Sequence, residues 1–91
     1  MADIDIQRKH QLPLKDAKAK VEQIAERIAE RFDVEYGWHG NTLQFNRSGV
    51  DGQIAVSSKD LRVSVRLGFL LLALKSAIER EINGTIDQHF G

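Results

Sequence analysis

Residues 34–67 read VEYGWHGNTLQFNRSGVDGQIAVSSKDLRVSVRL, and their pattern is the strongest indication of the fold. Apolar and polar residues alternate in four short runs, which is the pattern of strands with one buried face. The pair Gly40-Asn41 suits a tight hairpin turn, and residues 48–52 and 57–60 are rich in turn-forming residues. The stretch therefore predicts an antiparallel meander of four strands with one apolar face and one polar face.

The flanking sequence predicts one more strand and two helices. Ile4 and Ile6 alternate with polar residues, as in a half-buried strand. After Pro13, apolar residues recur at spacings of three and four and place one stripe on a helix: Leu14, Ala17, Val21, Ile24, Ile28 and Phe32. A second helix is expected to start near Phe69 and to run close to the C-terminus, although Gly84 costs it about 1 kcal/mol relative to alanine. Its apolar stripe, with the flanking positions, comprises Leu70, Leu71, Leu74, Ala77, Ile78, Ile82 and Ile86.

These elements predict one α+β domain that spans residues 1–91, in the order β-α-β-β-β-β-α. If successive elements alternate in direction, the first strand runs antiparallel to the last strand and pairs beside it. Both helices then cover the same side of a five-stranded antiparallel sheet. The covered face carries the inward-pointing residues Ile6, Trp38, Phe45, Ile54, Val63 and Val65.

Composition narrows the choice of partners. The chain has 91 residues, and its 13 basic and 13 acidic residues give a net charge of zero. Nucleic-acid binding requires a surplus of phosphate-neutralising cations, so no nucleic acid is expected as the main partner. The longest apolar run, residues 67–74, is too short for a membrane span, and residues 1–6 lack the pattern of a signal peptide. The expected location is therefore cytoplasmic.

No catalytic or metal-binding constellation stands out in the sequence. The chain has no cysteine, which excludes disulfides, thiolate metal ligands and cysteine nucleophiles. His10, His39 and His89 lie on three different elements, so no pair has the short spacing of a metal site. The sequence predicts a protein without enzymatic activity, without a cofactor and without a bound metal.

Two features are candidates for binding. On a helical wheel, Phe69 and Leu72 lie off the stripe of the second helix. Either they form an apolar interaction surface, or Phe69 packs in the preceding turn and Leu72 is a single exposed leucine. In the alternation along their strands, Arg8 and Arg47 fall on the same side as the apolar residues. Each would lie at the edge of the core with its head in water, or would meet a carboxylate at the mouth of a cavity between helices and sheet.

Four stretches carry a family resemblance. They are residues 4–10 (IDIQRKH) with residues 12–14 (LPL), residues 45–54 (FNRSGVDGQI), residues 65–71 (VRLGFLL) and the closing residues 89–91 (HFG). In these stretches the chain resembles the polyhydroxyalkanoic acid system proteins, small bacterial proteins associated with polyhydroxyalkanoate synthesis, use or granules. The resemblance implies a cytoplasmic bacterial protein connected with storage-polyester granules, and it assigns no catalytic residue. Two helices over a curved antiparallel sheet are also similar to a reduced form of the helix-grip lipid-binding domains, by fold analogy alone.

Three functions stay open at this point. The leading one is a non-enzymatic protein that contacts the polyhydroxyalkanoate granule surface or a granule protein through Phe69, Leu72 and their neighbours. The second is a carrier that holds an acyl or hydroxyacyl ligand between helices and sheet, with Arg8 or Arg47 at the ligand's carboxylate. The third is a plain dimerisation module, a homodimer whose granule connection is only genomic. An internal cavity would favour the carrier, and a filled core with Phe69 and Leu72 exposed would favour the first function.

Overall fold

The computed structural model describes residues 3–90, and its elements follow the predicted order. The strands are β1 (Ile4–Lys9), β2 (Glu35–His39), β3 (Thr42–Arg47), β4 (Val50–Val56) and β5 (Asp60–Leu67). The helices are α1 (Leu14–Phe32) and α2 (Lys75–Phe90), and a 3₁₀ segment (Phe69–Leu74) leads into α2.

All five strands form one antiparallel sheet in the order β1-β5-β4-β3-β2, so the first strand pairs beside the last as predicted. One row of side chains crosses the whole sheet, because facing residues of antiparallel strands point to the same side. This row consists of Ile6, Val63, Ile54, Leu43 and Trp38. The register confirms the predicted apolar face.

Both helices pack against that apolar face. The buried residues of the helices are Ala17, Val21, Ile24, Ala25 and Ile28 in α1, and Ile82, Thr85 and Ile86 in α2. The apolar ones among them join the inward residues of the strands in one buried cluster, in which Ile54 and Val63 are 0% exposed. Each large apolar side chain buried in this way contributes roughly 1.5–3 kcal/mol, so this core stabilises the two-layer α+β architecture.

Left-handed backbone conformations close the two turns that frame β2. The residue after α1, Asp33, has φ 56°, and its N–H donates to the carbonyl oxygen of Ala29 at 2.9 Å. Gly40 has φ 62° in the two-residue turn between β2 and β3, a conformation that glycine adopts without the steric cost of a side chain. The hairpin predicted from Gly40-Asn41 is therefore present.

The start of the second helix differs from the prediction. Residues 69–74 form a 3₁₀ helix, and α-helical geometry begins only at Lys75. Because a 3₁₀ helix has three residues per turn, its side chains point in other directions than an α-helical wheel predicts. Gly84 does not end α2, which continues to Phe90 as expected for a helix that runs close to the C-terminus.

Candidate functional site

The 3₁₀ segment lies at one end of the molecule, against the turn between β3 and β4. The backbone N–H of Gly68 donates to the carbonyl oxygen of Gly49 at 2.7 Å, which fixes the start of the segment to that turn. The approach is close, since a Cβ atom at Gly68 would lie 3.2 Å from the Cα atom of Gly49. Gly49 also has φ 87°, which other residues rarely adopt. Two glycines therefore hold the segment in place.

The 3₁₀ geometry sorts the apolar side chains of the segment into rows. With three residues per turn, side chains three positions apart lie above one another. Leu71 and Leu74 share the row that lines the space between the helices and the sheet. Phe69 and Leu72 share a second row and Leu70 lies in the third, and these two rows face away from the core.

Four large apolar side chains of this segment are exposed, and together they form the apolar patch. The exposed fractions are 88% for Phe69, 86% for Leu70, 42% for Leu72 and 52% for Leu74. The helical wheel predicted Leu70 and Leu74 on the buried stripe. The prediction is wrong for Leu70, because the backbone is 3₁₀ rather than α-helical, whereas Leu74 lines the cavity but remains half-exposed. Single exposed apolar residues are common on soluble proteins, whereas contiguous ones are characteristic of contact surfaces.

A cavity of about 100 Å³ lies behind the patch, between the helices and the sheet. Its lining is largely apolar and comes from both layers, including Ile28, Phe32, Phe45, Val65, Leu71 and Ile78. Binding pockets for small molecules usually enclose roughly 300–1,000 Å³. The cavity therefore has room for a short apolar chain end but not for a whole acyl ligand.

Arg47 lies at the rim of this cavity, on the core-facing side of β3. Its Nη1 atom donates to the backbone carbonyl of Phe32 at 2.8 Å, and Phe32 is the last residue of α1. The guanidinium group thus meets the carbonyl end of a helix, where the macrodipole favours positive charge. Arg47 is exposed, so a carboxylate in solution has access to the remaining N–H donors.

Arg8 also lies on the core-facing side of its strand, but at the end of the sheet opposite to Arg47. It faces Leu61 at the start of β5. Its Nη1 donates to Asp87 at 2.5 Å and its Nη2 donates to Asn83 at 2.9 Å, which ties β1 to α2. A ligand carboxylate would have to replace these two partners. The fold therefore does not bring Arg8 and Arg47 to one site.

A serine, a histidine and an aspartate meet at the turn between β4 and β5, a grouping that the sequence analysis missed. Ser57 Oγ donates to Asp60 Oδ1 at 2.8 Å and accepts the backbone N–H groups of Lys59 and Asp60. His10 Nε2 donates to the backbone carbonyl of Ser57 at 2.8 Å, and His10 Nδ1 accepts the N–H of Leu12 at 3.0 Å. A general base must take the proton of the nucleophile, and the lone pair of His10 is already engaged by Leu12. The three side chains do not form a catalytic triad.

The sheet face opposite the helices is polar and open. There Arg62 donates to both carboxylate oxygens of Asp5, at 3.0 Å from Nε and 2.7 Å from Nη2. These hydrogen bonds, together with the positive charge of Arg62, lower the pKa of Asp5. Hydrogen bonds from Gln7 and Ser57 lower the pKa of Asp60 in the same way. Exposed and paired charges of this kind are typical of a solvated surface.

The histidines and carboxylates of residues 3–90 contain no group of three or more that could hold a metal ion. His10 packs its ring against Phe90 at 5.6 Å between centroids, and His89 Nδ1 lies 2.9 Å from the carbonyl oxygen of Thr85. Across the described part of the chain, neither helix has the length and apolar character that a membrane crossing requires.

Comparison with known protein families identifies the family of this chain. The model of the family described as "Putative polyhydroxyalkanoic acid system protein" matches residues 4–90. The chain belongs to this family. No curated protein and no solved structure matches it. The matched span runs from the start of β1 to the end of α2, so the patch, the cavity and both arginines lie within it.

Proposed function

We propose that the protein is a non-enzymatic binding protein that attaches to the polymer surface of storage-polyester granules through the apolar patch. The observation that carries this proposal is the exposure of four large apolar side chains within six consecutive residues. The family description supplies the setting, a polyhydroxyalkanoic acid system. A polyester surface in water offers the apolar contact that such side chains lack in the isolated protein.

Burial of apolar area is the driving force in this proposal. Full burial of a large apolar side chain contributes roughly 1.5–3 kcal/mol, and Phe69 and Leu70 have almost all of their area available. The net charge of zero adds no general attraction to a charged surface. Attachment is therefore expected to change little with salt, unlike binding that depends on exposed charges.

The arrangement of polar side chains supports a role without catalysis. A nucleophile needs an effective base within hydrogen-bond reach. The Ser57 hydroxyl donates to the carboxylate of Asp60, whose pKa is lowered by hydrogen bonds from Gln7 and Ser57, so this carboxylate is a weak base. The patch itself contains only hydrocarbon side chains, so it offers binding and no acid–base chemistry. We therefore expect no turnover of hydroxyacyl esters or thioesters, which purified protein incubated with such substrates would test.

The test is co-sedimentation with particles of bare polyhydroxyalkanoate and, in parallel, with isolated granules. The informative variant is Phe69→Asp/Leu70→Asp, because both side chains are exposed and the domain should stay folded. The matched control is Gln23→Glu/Gln44→Glu, which adds the same charge at two exposed positions on other surfaces. Urea unfolding of each variant verifies that the fold is intact.

The expected result is at least a tenfold loss of binding to bare polymer for the patch variant and normal binding for the control. Normal binding by a folded patch variant would refute the proposal. Binding of wild type to granules but not to bare polymer would also refute it, and would identify a granule protein as the partner.

The second candidate function is a carrier for short hydroxyacyl carboxylates. The observation in its favour is the apolar cavity with Arg47 at its rim, an arrangement that would hold a short chain end beside a cation. The small volume of the cavity makes the carrier the second candidate rather than the first. Titration with 3-hydroxybutyrate, followed by NMR shifts of cavity residues, tests it: shifts lost in Arg47→Met and kept in Arg8→Met support the carrier, and no shifts contradict it.

A further inference from the structure

β2 is an edge strand, and the hairpin determines which of its backbone groups are free. In a two-residue hairpin the residues next to the turn, here His39 and Thr42, exchange both backbone hydrogen bonds. Hydrogen-bonded and non-hydrogen-bonded pairs then alternate, so the N–H and C=O groups of Tyr36 and Trp38 point away from β3. A hydrogen bond between β3 and β4 is consistent with this alternation. The N–H of Val56 donates to the carbonyl oxygen of Asn41, and these two residues are the next pair beyond Thr42 and Ala55.

Two aromatic side chains stand at this free edge. Outside the apolar patch, Tyr36 is the one exposed large apolar side chain among the described residues. Trp38 is held in place because its Nε1 donates to Glu22 Oε1 at 2.8 Å and Lys18 Nζ lies 4.7 Å from its ring centroid. The Glu22 carboxylate also interacts with the Tyr36 phenol and raises the pKa of that group. The Trp38 ring is therefore oriented before any partner arrives.

We propose that the free edge of β2 binds β2 of a second copy of this chain, antiparallel, about a two-fold axis through Gly37. Tyr36 then faces Trp38 of the second copy, and the outward backbone groups of both residues form four hydrogen bonds around the axis. Gly37 faces its own copy in a non-hydrogen-bonded pair, where Cα atoms come within about 4.5 Å. A strand without a side chain at that point suits the close approach.

Complementary side chains favour a second copy as the occupant. In this register Glu35 faces His39 of the second copy, twice by symmetry, and the carboxylate and the imidazole can pair. The free edge of β1 is different, because it presents Lys9 and the ion-paired Asp5. Charged residues, especially lysine, are a common protection of edge strands against pairing. The two edges of the sheet are thus unequal, and β2 is the one suited to self-association.

This pairing joins two five-stranded sheets into one continuous sheet. The two-fold axis is perpendicular to the sheet, so the helices of both copies lie on the same side. The two apolar patches lie at opposite ends of the joined sheet. The dimer does not require granule binding. A negative result for granule attachment therefore does not refute the dimer, and a negative result for the dimer does not refute granule attachment.

Sedimentation equilibrium over a range of protein concentrations up to about 1 mM tests the dimer, since an interface of one short strand gives a weak association. Gly37→Lys places two like charges at the axis, although the monomer has nothing within 4 Å of the new Cβ. Gly84→Lys is the matched control, since the Cβ added there also meets nothing within 4 Å. We expect at least a tenfold weaker dimer for Gly37→Lys and an unchanged one for Gly84→Lys.

The Glu35–His39 pair supplies a second, independent readout. His39→Lys should tighten the dimer several-fold and His39→Glu should weaken it, because opposite charges stabilise and like charges destabilise facing strand positions. A wild type that stays monomeric throughout would overturn the proposal. So would a dimer that persists in folded Gly37→Lys, or one lost in Phe69→Asp/Leu70→Asp, which would place the interface at the patch.

Discussion

Arg47 Nη1 donates a 2.8 Å hydrogen bond to the backbone carbonyl of Phe32. This bond joins the end of β3 to the last residue of α1 across the rim of the apolar cavity. A helix leaves its last carbonyl groups without intrahelical partners, so the arginine supplies a donor that the helix itself lacks.

Replacing Arg47 by methionine should therefore destabilise the domain. Methionine keeps an apolar stem at the cavity rim but removes the donor, and a hydrogen bond of this kind contributes about 1 kcal/mol. Urea unfolding measures the change. Arg66→Met, at an exposed arginine on the polar face, should stay within about 0.5 kcal/mol of wild type, and equal losses for both variants would contradict the helix-terminus role.

The rows of the 3₁₀ segment predict opposite responses of neighbouring leucines to a charge. Leu70→Asp should change the unfolding free energy by about 0.5 kcal/mol or less, because the side chain is 86% exposed. Leu72→Asp should cost about 1 kcal/mol. Leu71→Asp should cost more than 2 kcal/mol, because it places a charge at the cavity. Thermal melting of the three variants is the measurement, and an α-helical segment would instead make Leu70→Asp as harmful as Leu71→Asp.

Gly52 should be the least replaceable glycine of the sheet. It faces Phe45, and a Cβ atom at Gly52 would overlap the Phe45 ring. Gly52→Ala should therefore destabilise by about 1–3 kcal/mol through overpacking. Gly37→Ala is the comparison, because nothing lies within 4 Å of its Cβ and alanine should stabilise the strand slightly. If the two substitutions have the same effect on denaturant unfolding, the Phe45 ring does not cover Gly52.

Asp5 should make stability depend on pH in the acid range. Arg62 lowers the pKa of Asp5 in the folded protein below the usual 3.8. A lowered folded-state pKa adds stability above the unfolded-state pKa, and this contribution is lost as the pH falls through the folded-state value. Asp5→Asn should thus be less stable than wild type at neutral pH, and the difference should shrink below about pH 4. Unfolding of both proteins across the pH range checks this, and a difference that grows on acidification would show the opposite sign.

The strands β1, β3, β4 and β5 and the helix α1 were predictable because each has one buried face. Ile6 and Val63 face each other in the register that the alternation implies. A shift of this register by one residue would expose every apolar side chain of the strand to solvent. In α1 the spacing of three and four is uninterrupted from Ala17 to Ile28. A pattern of this kind has only one way to bury its apolar side.

The candidate site was less predictable because its determinants are tertiary. Five of six residues in the segment are large and apolar, so their pattern does not reveal the period of the backbone. What positions the segment is the contact of Gly68 with Gly49, which lies on a different hairpin. The partners of Arg8 likewise depend on where α2 packs, which parity in β1 does not indicate.

β1 pairs with β5 and with no other strand of the described sheet, so its pairing must wait until β5 has been made. Ile4 faces Val65, and a ribosome that adds roughly 5–20 residues per second needs on the order of 3–12 s to cover that separation. The β2–β3 hairpin, by contrast, closes within about 1–10 μs once its residues are available. Strand pairing therefore begins in the meander. Until β5 emerges, the backbone groups of β1 have no strand partner, and Ile4 and Ile6 lack the sheet face on which they pack.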